Sequence, residues 1–542
     1  MTLRDFDIDR NLSIYQQYQT TYLHVTQILG IKTAVLMQVG ATYEIFCTTD
    51  VNNGNPSNNF YDLTNVMGLA ITHRGKGQDG TNSNPNMAGF PIGSIRKYSN
   101  LLLNADYSIV ICDQEDEDTV GHGKQRVIAQ ILTPGTAPKT NNLTANKLII
   151  LYVENQNPKD LIMRIDRADL CIGLCAMNVI TGETRLFELQ ISPSHPKLSK
   201  QYNLEEVYRF LQSNNCRELV IHLKNFDITT EPNSLDRKNA IETYFKETLA
   251  LDQYFIQQFA FNEIDDNWLM PKYQATVLEK LFADRATMGT TTMSSLGLEY
   301  MSSATTAYLI TLEHVRQRNN TLVKRLPCPE VWKSENVMIL THNAVQQLEL
   351  CPSTSIDTKS RDRKMTLFEI IDNTVTPEGK RQLEQLLFAP YYDPVLLEMK
   401  YAQVQAMIDT GKDFISSLTK PLREIGDLRK LHRRLETDTL SPSQLFKLMT
   451  SYDAVVKLQN TLQPFATSIP VLSDEILGKF EDYRESLKLT FNVDKLNECK
   501  SFKTISSKIV NAGLVEELDL LHSKVGNLDV MIFTHFFCCV FA

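Results

Sequence analysis

Gln38-Val39-Gly40-Ala41-Thr42-Tyr43-Glu44-Ile45-Phe46 decides how the first third of this chain is read. Two runs rich in β-branched and aromatic residues, Thr33–Val39 and Tyr43–Cys47, meet at Gly40, and such a pair of runs predicts a hairpin. Upstream, Ile14, Tyr18, Tyr22, Val25 and Leu29 recur at helical spacing within Leu12–Leu29, and Gly30 ends the pattern. Downstream, Asn52–Asn59 is a polar loop and Val66–Thr72 reads as a third strand. Arg74–Asn86 (RGKGQDGTNSNPN) is a Gly/Asn/Ser-rich surface loop. Ile95–Asn104 reads as a helix, and Tyr107–Cys112 and Arg126–Leu132 as strands. Residues 1–140 are thus expected to form a small mixed α/β domain.

Two further blocks follow. In residues 146–264, Leu148–Val153, Leu170–Ile180 and Glu183–Leu189 read as strands, the last two joined by a two-residue turn at Thr181-Gly182. Leu204–Asn214 is an amphipathic helix, and Glu218–Leu223 is another strand. That order matches a ribonuclease-H-like α/β layer fold. Residues 273–542 carry almost no strand signal. Met301–Val315 is helical, and Thr376-Pro377-Glu378 and Ser441-Pro442 are helix starts. Leu428, Leu431 and Leu435 form a helical stripe that reads as core, and Lys430, Arg433 and Arg434 cover more than one face and read as structural. The fold class is therefore multidomain α+β: two sheet-containing domains, then a long all-α assembly.

Composition excludes several functions. With 542 residues, 42% hydrophobic and 22% charged, the chain suits several folded domains. A net charge of −9 argues against a uniformly basic nucleic-acid-binding surface but leaves room for a local basic groove. The ten cysteines are scattered without paired CxxC spacing, so free thiols are expected rather than a zinc site, and a reducing intracellular compartment rather than secretion. The N-terminus mixes acids with bases, unlike a signal peptide, and no run reaches the roughly 20 apolar residues of a membrane span. No GxxxxGK[ST] phosphate loop occurs; Gly75-Lys76-Gly77 and Gly121-His122-Gly123-Lys124 read as solvated loops. Two-metal nuclease chemistry needs converging carboxylates, and Asn178, read as the key position of the second block's first strand, is a neutral amide. No HExxH pair or nucleophile elbow appears.

Several runs resemble the MutS family of DNA mismatch-repair proteins, in that family's order. Gln38–Phe46 is similar to its M-G-D-F-Y-E-x-F strand. Thr72-His73-Arg74-Gly75, then Met87-Ala88-Gly89-Phe90-Pro91, Val110–Glu115 (VICDQE) and Ile131–Thr136 (ILTPGT) follow. Cys171–Phe187 resembles the opening hairpin of the connector domain. Thr366–Gly379, Leu387–Pro390 and Gly426-Asp427-Leu428 with Arg433-Arg434-Leu435 resemble runs of the lever domain. Asn141-Asn142-Leu143 and Leu186-Phe187-Glu188 resemble the subgroup found in large DNA viruses.

The resemblance implies a mismatch-recognition domain (1–140), a non-catalytic connector (146–264) and a helical lever (273–542) whose clamp is truncated or absent. It implies binding of duplex DNA at a mismatch or small loop, contacts with downstream repair proteins, and a homodimer formed through a missing C-terminal region. ATP and magnesium serve the intact family through an ATPase domain; no cofactor is expected in this chain. Members act intracellularly, in cytoplasm, nucleus or viral factory. The DNA-binding set implied is Thr42, Tyr43, Glu44, Arg74, Lys76, Met87, Arg96 and Lys97. Glu44 matches the family's base-contacting glutamate. Thr42 stands at the stacking phenylalanine, Ala41 at its aspartate, and threonine cannot stack. The other reading is a protein-interaction scaffold acting through the connector without mismatch-specific DNA binding. The apolar run Met531–Ala542 (MIFTHFFCCVFA) is expected to be a frameshifted or truncated end, which would make the chain a fragment; the alternative is that it buries as a short strand.

Overall fold

The computed structural model describes residues 6–520 apart from 50–55, 74–79, 82–83, 115–124, 137–146, 157–168, 192–196, 215, 227–233, 250, 252–254, 262–263, 283–290, 334–337, 339, 341–343, 345–346, 351–365, 467–468, 470, 499–508, 515 and 518. The apolar run 531–542 lies outside the described residues. The chain divides into two compact units, Met1–Thr358 with Leu387–Pro390, and Lys359–Leu386 with Tyr391–Ala542.

The first unit opens with helix α1 (Ile14–Leu29), started by a reciprocal Ser13–Gln16 capping box. Tyr18, Tyr22, Val25 and Leu29 recur every third or fourth residue and bury one stripe of the helix against a sheet. β1 (Thr33–Val39) and β2 (Thr42–Cys47) are antiparallel, with Val39 opposite Thr42. The two central residues are Gly40 and Ala41, and Gly40 has φ 61°, as a primed hairpin turn requires at its first position. Residues Val66 and Met67, expected in a strand, instead finish helix α2 (Phe60–Met67). Phe60, Leu63, Thr64 and Met67 are spaced for one helical face, and Gly68 closes the helix in the left-handed region. Only β3 (Thr72–His73) of that run is extended. β4 (Asn86–Pro91), unforeseen as a strand, pairs with β2. Helix α3 (Ile95–Asn104), β5 (Ser108–Gln114) and β6 (Arg126–Leu132) complete a sheet ordered β3-β4-β2-β1-β5-β6.

The second sheet is built on β7 (Lys147–Asn155), a continuous apolar run buried on both sides. Leu148, Ile150 and Tyr152 feed one core while Ile149, Leu151 and Val153 feed the other. β8 (Leu170–Asn178) and β9 (Thr184–Ile191) follow antiparallel; helix α4 (Lys197–Ser213) leads to β10 (Cys216–Lys224), and helix α5 (Ser234–Thr248) to β11 (Phe255–Phe261). β10 and β11 run parallel to β7. The β8–β9 connection is wider than the expected two-residue turn: Asn178 N–H donates to Glu183 O, leaving Val179–Gly182 as the loop. Asn178 ends the second strand of the sheet, not the first, and its Oδ1 accepts from the Ile180 and Thr181 amides at 3.1 and 3.3 Å. It is a turn residue.

Part of the expected all-α block belongs to this sheet. Helices α6 (Pro271–Phe282), α7 (Thr292–Ser295) and α8 (Ser302–Arg318) share the core of Leu148, Ile150 and Tyr152, and β12 (Glu330–Val331) pairs with β9. The second sheet is ordered β11-β10-β7-β8-β9-β12. Its two faces each need a cover, and α4 and α5 supply only one. α8 lies so close to β8 that a Cβ on Gly173 would collide with the Ser303 carbonyl, and the Ala304 amide donates to Glu188 Oε2 at 2.9 Å.

The second unit is helical in its described residues. Thr366 and Glu369 form a capping box, and the Gly379 amide donates to Thr376 Oγ1 at 3.0 Å, starting the helix Pro377–Phe388. Arg381 forks onto both Asp427 oxygens at 2.9 Å and reaches Glu378 at 2.6 Å. Ser441 starts the 21-residue helix Pro442–Leu462. Leu431 is buried while Leu435 is exposed, so the expected stripe is shorter than its spacing suggested. Arg433 is buried and pairs with Glu436 at 3.1 Å.

Candidate nucleic-acid interface

Alternation along β2 sorts the central residues of the quoted run. Tyr43 turns inward and is 6% exposed; its ring lies 6.0 Å from Phe90, and its hydroxyl donates to Asp113 Oδ1 at 2.6 Å. Burial, then the Asp113 carboxylate, push its phenol well above the ordinary range, so it stays a donor. Tyr43, named with the DNA-binding set, is a core residue on the face opposite Glu44, as strand alternation implies.

Thr42 and Glu44 share the other face. Thr42 Oγ1 lies 3.0 Å from both Val39 O and Glu44 Oε1. One hydroxyl proton must serve both acceptors. Glu44 is 8% exposed and lies over Gly89, its cross-strand partner. A Cβ at Gly89 would come within 2.8 Å of Tyr43 O and 3.1 Å of Glu44 Cγ, so only glycine lets the carboxylate lie there. The strand therefore places a carboxylate and a hydroxyl near the hairpin tip, and the ring that alternation puts on the same face, Phe46, is buried against Tyr18.

Two glutamines hold the tip. Gln114 Nα donates to Gln38 Oε1 at 2.9 Å, and Gly40 Nα donates to Gln114 Oε1 at 3.2 Å. Gln38 Nε2 donates to Gly40 O, and Ile92 Nα to Ala41 O at 3.0 Å. Buried Arg126 ties this to α1 by donating to Gln38 O and Gln17 Oε1, each at 2.9 Å. In the sequence Gln38 and Gln114 stand only inside longer motif-like runs. A partnership across 76 positions leaves no mark in spacing.

The basic candidates divide. Arg96 and Lys97 are exposed in the first turn of α3. Lys97 Nζ sits 5.1 Å over the Tyr98 ring, which stacks on Phe90 at 4.3 Å. A line of rings thus runs from Tyr43 to a surface cation. Met87 lies half-buried in β4, opposite Phe46 and Thr72. Arg74 and Lys76 lie outside the described residues. No helix among the described residues is long and apolar enough to cross a membrane.

Comparison with known proteins agrees with this architecture. Residues 20–141 match the family model for MutS domain I, and residues 343–531 that for MutS domain III. A protein described as a mutS homolog in DNA mismatch repair, from Acanthamoeba polyphaga mimivirus, is 24% identical over 97% of this chain and 46% of its own length. The DNA mismatch repair protein MutS of Flavobacterium johnsoniae is 24% identical over 90% of this chain and 48% of its own. That of Caldanaerobacter subterraneus is 22% identical over 85% and 47% respectively. The chain spans about half the length of the curated relatives it matches.

Proposed function

This chain belongs to the MutS family, and from that membership we propose that it binds duplex DNA at a mispair or small loop through the tip of the β1–β2 hairpin. The observation that carries the reading is the Thr42–Glu44 pair, held on one face of a strand whose turn is clamped by Gln38 and Gln114. A carboxylate there can accept a hydrogen bond from an unpaired base, and bending a duplex costs least where pairing is already lost. Without a ring at position 42, discrimination rests on that hydrogen bond and on deformability, while Arg96 and Lys97, with Arg74 and Lys76, supply phosphate contacts.

In this reading the first sheet is the mismatch-recognition domain and the helical second unit is the lever. The second sheet is the connector. Three antiparallel strands flanked by two parallel ones support its ribonuclease-H-like description, and Asn178 at a turn supports its being non-catalytic. Nucleotide coupling is the family's property. This sequence carries no GxxxxGK[ST] loop.

Gel-shift titration of the full chain at low salt on a homoduplex, a single-mispair duplex and a short-loop duplex tests the proposal. Tighter binding to the latter two, weakening as salt rises, is expected. Equal and negligible binding to all three would overturn it.

A further inference from the structure

β10 carries an irregularity where it meets the first sheet. Cys216 pairs with Lys147, yet Glu218 pairs with the next residue, Leu148, so Arg217 is an inserted bulge residue. Neighbours on a regular strand point to opposite faces, and a bulge re-aims one of them. Here both reach elements of the first sheet. Arg217 Nη2 donates to Asp106 Oδ1 at 2.7 Å, with Asp106 in the turn between α3 and β5 at φ 60°. Glu218 is fully buried, and its Oε2 accepts from Thr133 Oγ1 at 2.6 Å and from the Gly135 amide at 2.7 Å, in the turn that follows β6.

Both sides are shaped for this contact. A Cβ on Gly135 would lie 2.7 Å from Glu218 Cβ and from its Oε2. Thr136 Oγ1 accepts the Thr133 amide at 3.1 Å, fixing the turn that offers the two donors. Behind the carboxylate, His314 Nε2 of α8 stands 3.7 Å from Glu218 Oε1. Burial pushes the Glu218 carboxyl up, but His314, Arg318 and Thr133 outweigh it and hold it below the ordinary range, so it is an anion where it accepts. Charge-assisted bonds at these lengths are the stronger kind, and losing a buried one costs more than losing a surface pair.

We infer that Arg217 and Glu218 are positioning residues that hold the first sheet in one orientation on the second, the bulge existing to aim both at it. Their purpose rests on the duplex-binding reading, because a duplex engaged at Thr42 and Glu44 is thereby set relative to the second sheet. The latch itself is a property of the DNA-free protein.

The test places two fluorescent non-natural amino acids in the full chain, at exposed Leu23 of α1 and exposed Glu205 of α4, and reads their distance distribution. Cysteine labelling is avoided because the chain has ten. The otherwise unsubstituted chain should give one narrow peak. Arg217→Ala and Gly135→Ala should each lose it to a broad distribution, while Arg217→Lys, which keeps the cation, should retain it. Asp106→Asn acts from the more solvent-exposed side and serves if Gly135→Ala fails to fold. Far-UV circular dichroism confirms that the chain as a whole stays folded, and tryptophan emission that the second sheet does, since Trp268 and Trp332 both pack on it. A peak that remains single and narrow in Arg217→Ala and Asp106→Asn overturns the inference. DNA titration of the same proteins separates the two ideas: a peak lost as expected, with no duplex bound even by the unsubstituted chain, leaves the latch standing and removes the DNA reading.

Discussion

Lowering the pH from about 7.5 to about 5 should remove about 4 kcal/mol of stability from the unit that carries the two sheets. Two histidines produce this. Burial, then the Arg318 charge, hold His314 down to about 4 against the opposing pull of Glu218, and burial, then His314, hold His222 down to about 3. Unfolded, each returns to 6.5. Between those values the unfolded chain binds more protons than the folded one, so stability is present above about 6.5 and is lost as pH falls. At pH 5 each unfolded histidine is almost fully protonated while its folded counterpart is not, and the difference is about 2 kcal/mol per residue at 1.36 kcal/mol per unit. Glu218, held low in the fold, works in the same direction at still lower pH. The chain's two tryptophans, Trp268 and Trp332, both lie in this unit. Trp332 packs edge-on against Phe187 and Phe210, so its emission reports this unit's unfolding and not the helical one's. Urea titrations at both pH values, on the unsubstituted chain and on His222→Leu, supply the comparison. The substitution should halve the pH-dependent loss. An unchanged loss in His222→Leu, or no loss in the unsubstituted chain, refutes the reasoning.

Four other outcomes are expected. Tyr43→Phe leaves Asp113 without its donor and should cost about 1–3 kcal/mol in urea unfolding, with little change in DNA affinity; a large affinity loss at unchanged stability would return Tyr43 to the interface. Thr42→Phe puts a ring beside Glu44 at the hairpin tip and should tighten mispair binding by the ~1–3 kcal/mol of one stacked base, measured by fluorescence anisotropy. Gly173→Ala should destabilise the second sheet by about 1–3 kcal/mol or more, since α8 has to move, and thermal unfolding reads it directly. Gln114→Ala removes the tip's clamp and should speed amide exchange at Gly40 without unfolding β1, as followed by hydrogen exchange.

Periodicity made much of this legible. β1, β6 and α3 follow from alternation or helical spacing, and the capping residues Ser441 and Thr376 stand where helices begin. Failures have physical causes. Val66 and Met67 are as apolar as strand residues, and only their register with Phe60 and Leu63 reveals α2. β4 contains a glycine and a proline, which weaken its strand signal, yet Gly89 is there to admit Glu44. Helices α6–α8 look like any others in sequence, and that they cover a sheet becomes visible only when β7 needs a second core. The candidate site was legible as a run of residues, and strand alternation alone puts Tyr43 and Glu44 on opposite faces; the partner that holds Tyr43 on its side, Asp113, is seventy positions away and leaves no local mark.

The alternation along β7 carries a consequence for how this protein tolerates change. Neighbouring positions such as Ile149 and Ile150 are chemically alike but answer to different surroundings, one packed by α4 and α5, the other by α8. A one-residue insertion in that strand would exchange every side chain between the two environments at once. Drift at adjacent positions should therefore be statistically independent, while positions two apart change together. Neither side of the sheet can melt while the other stays intact, since the same strand is the wall of both.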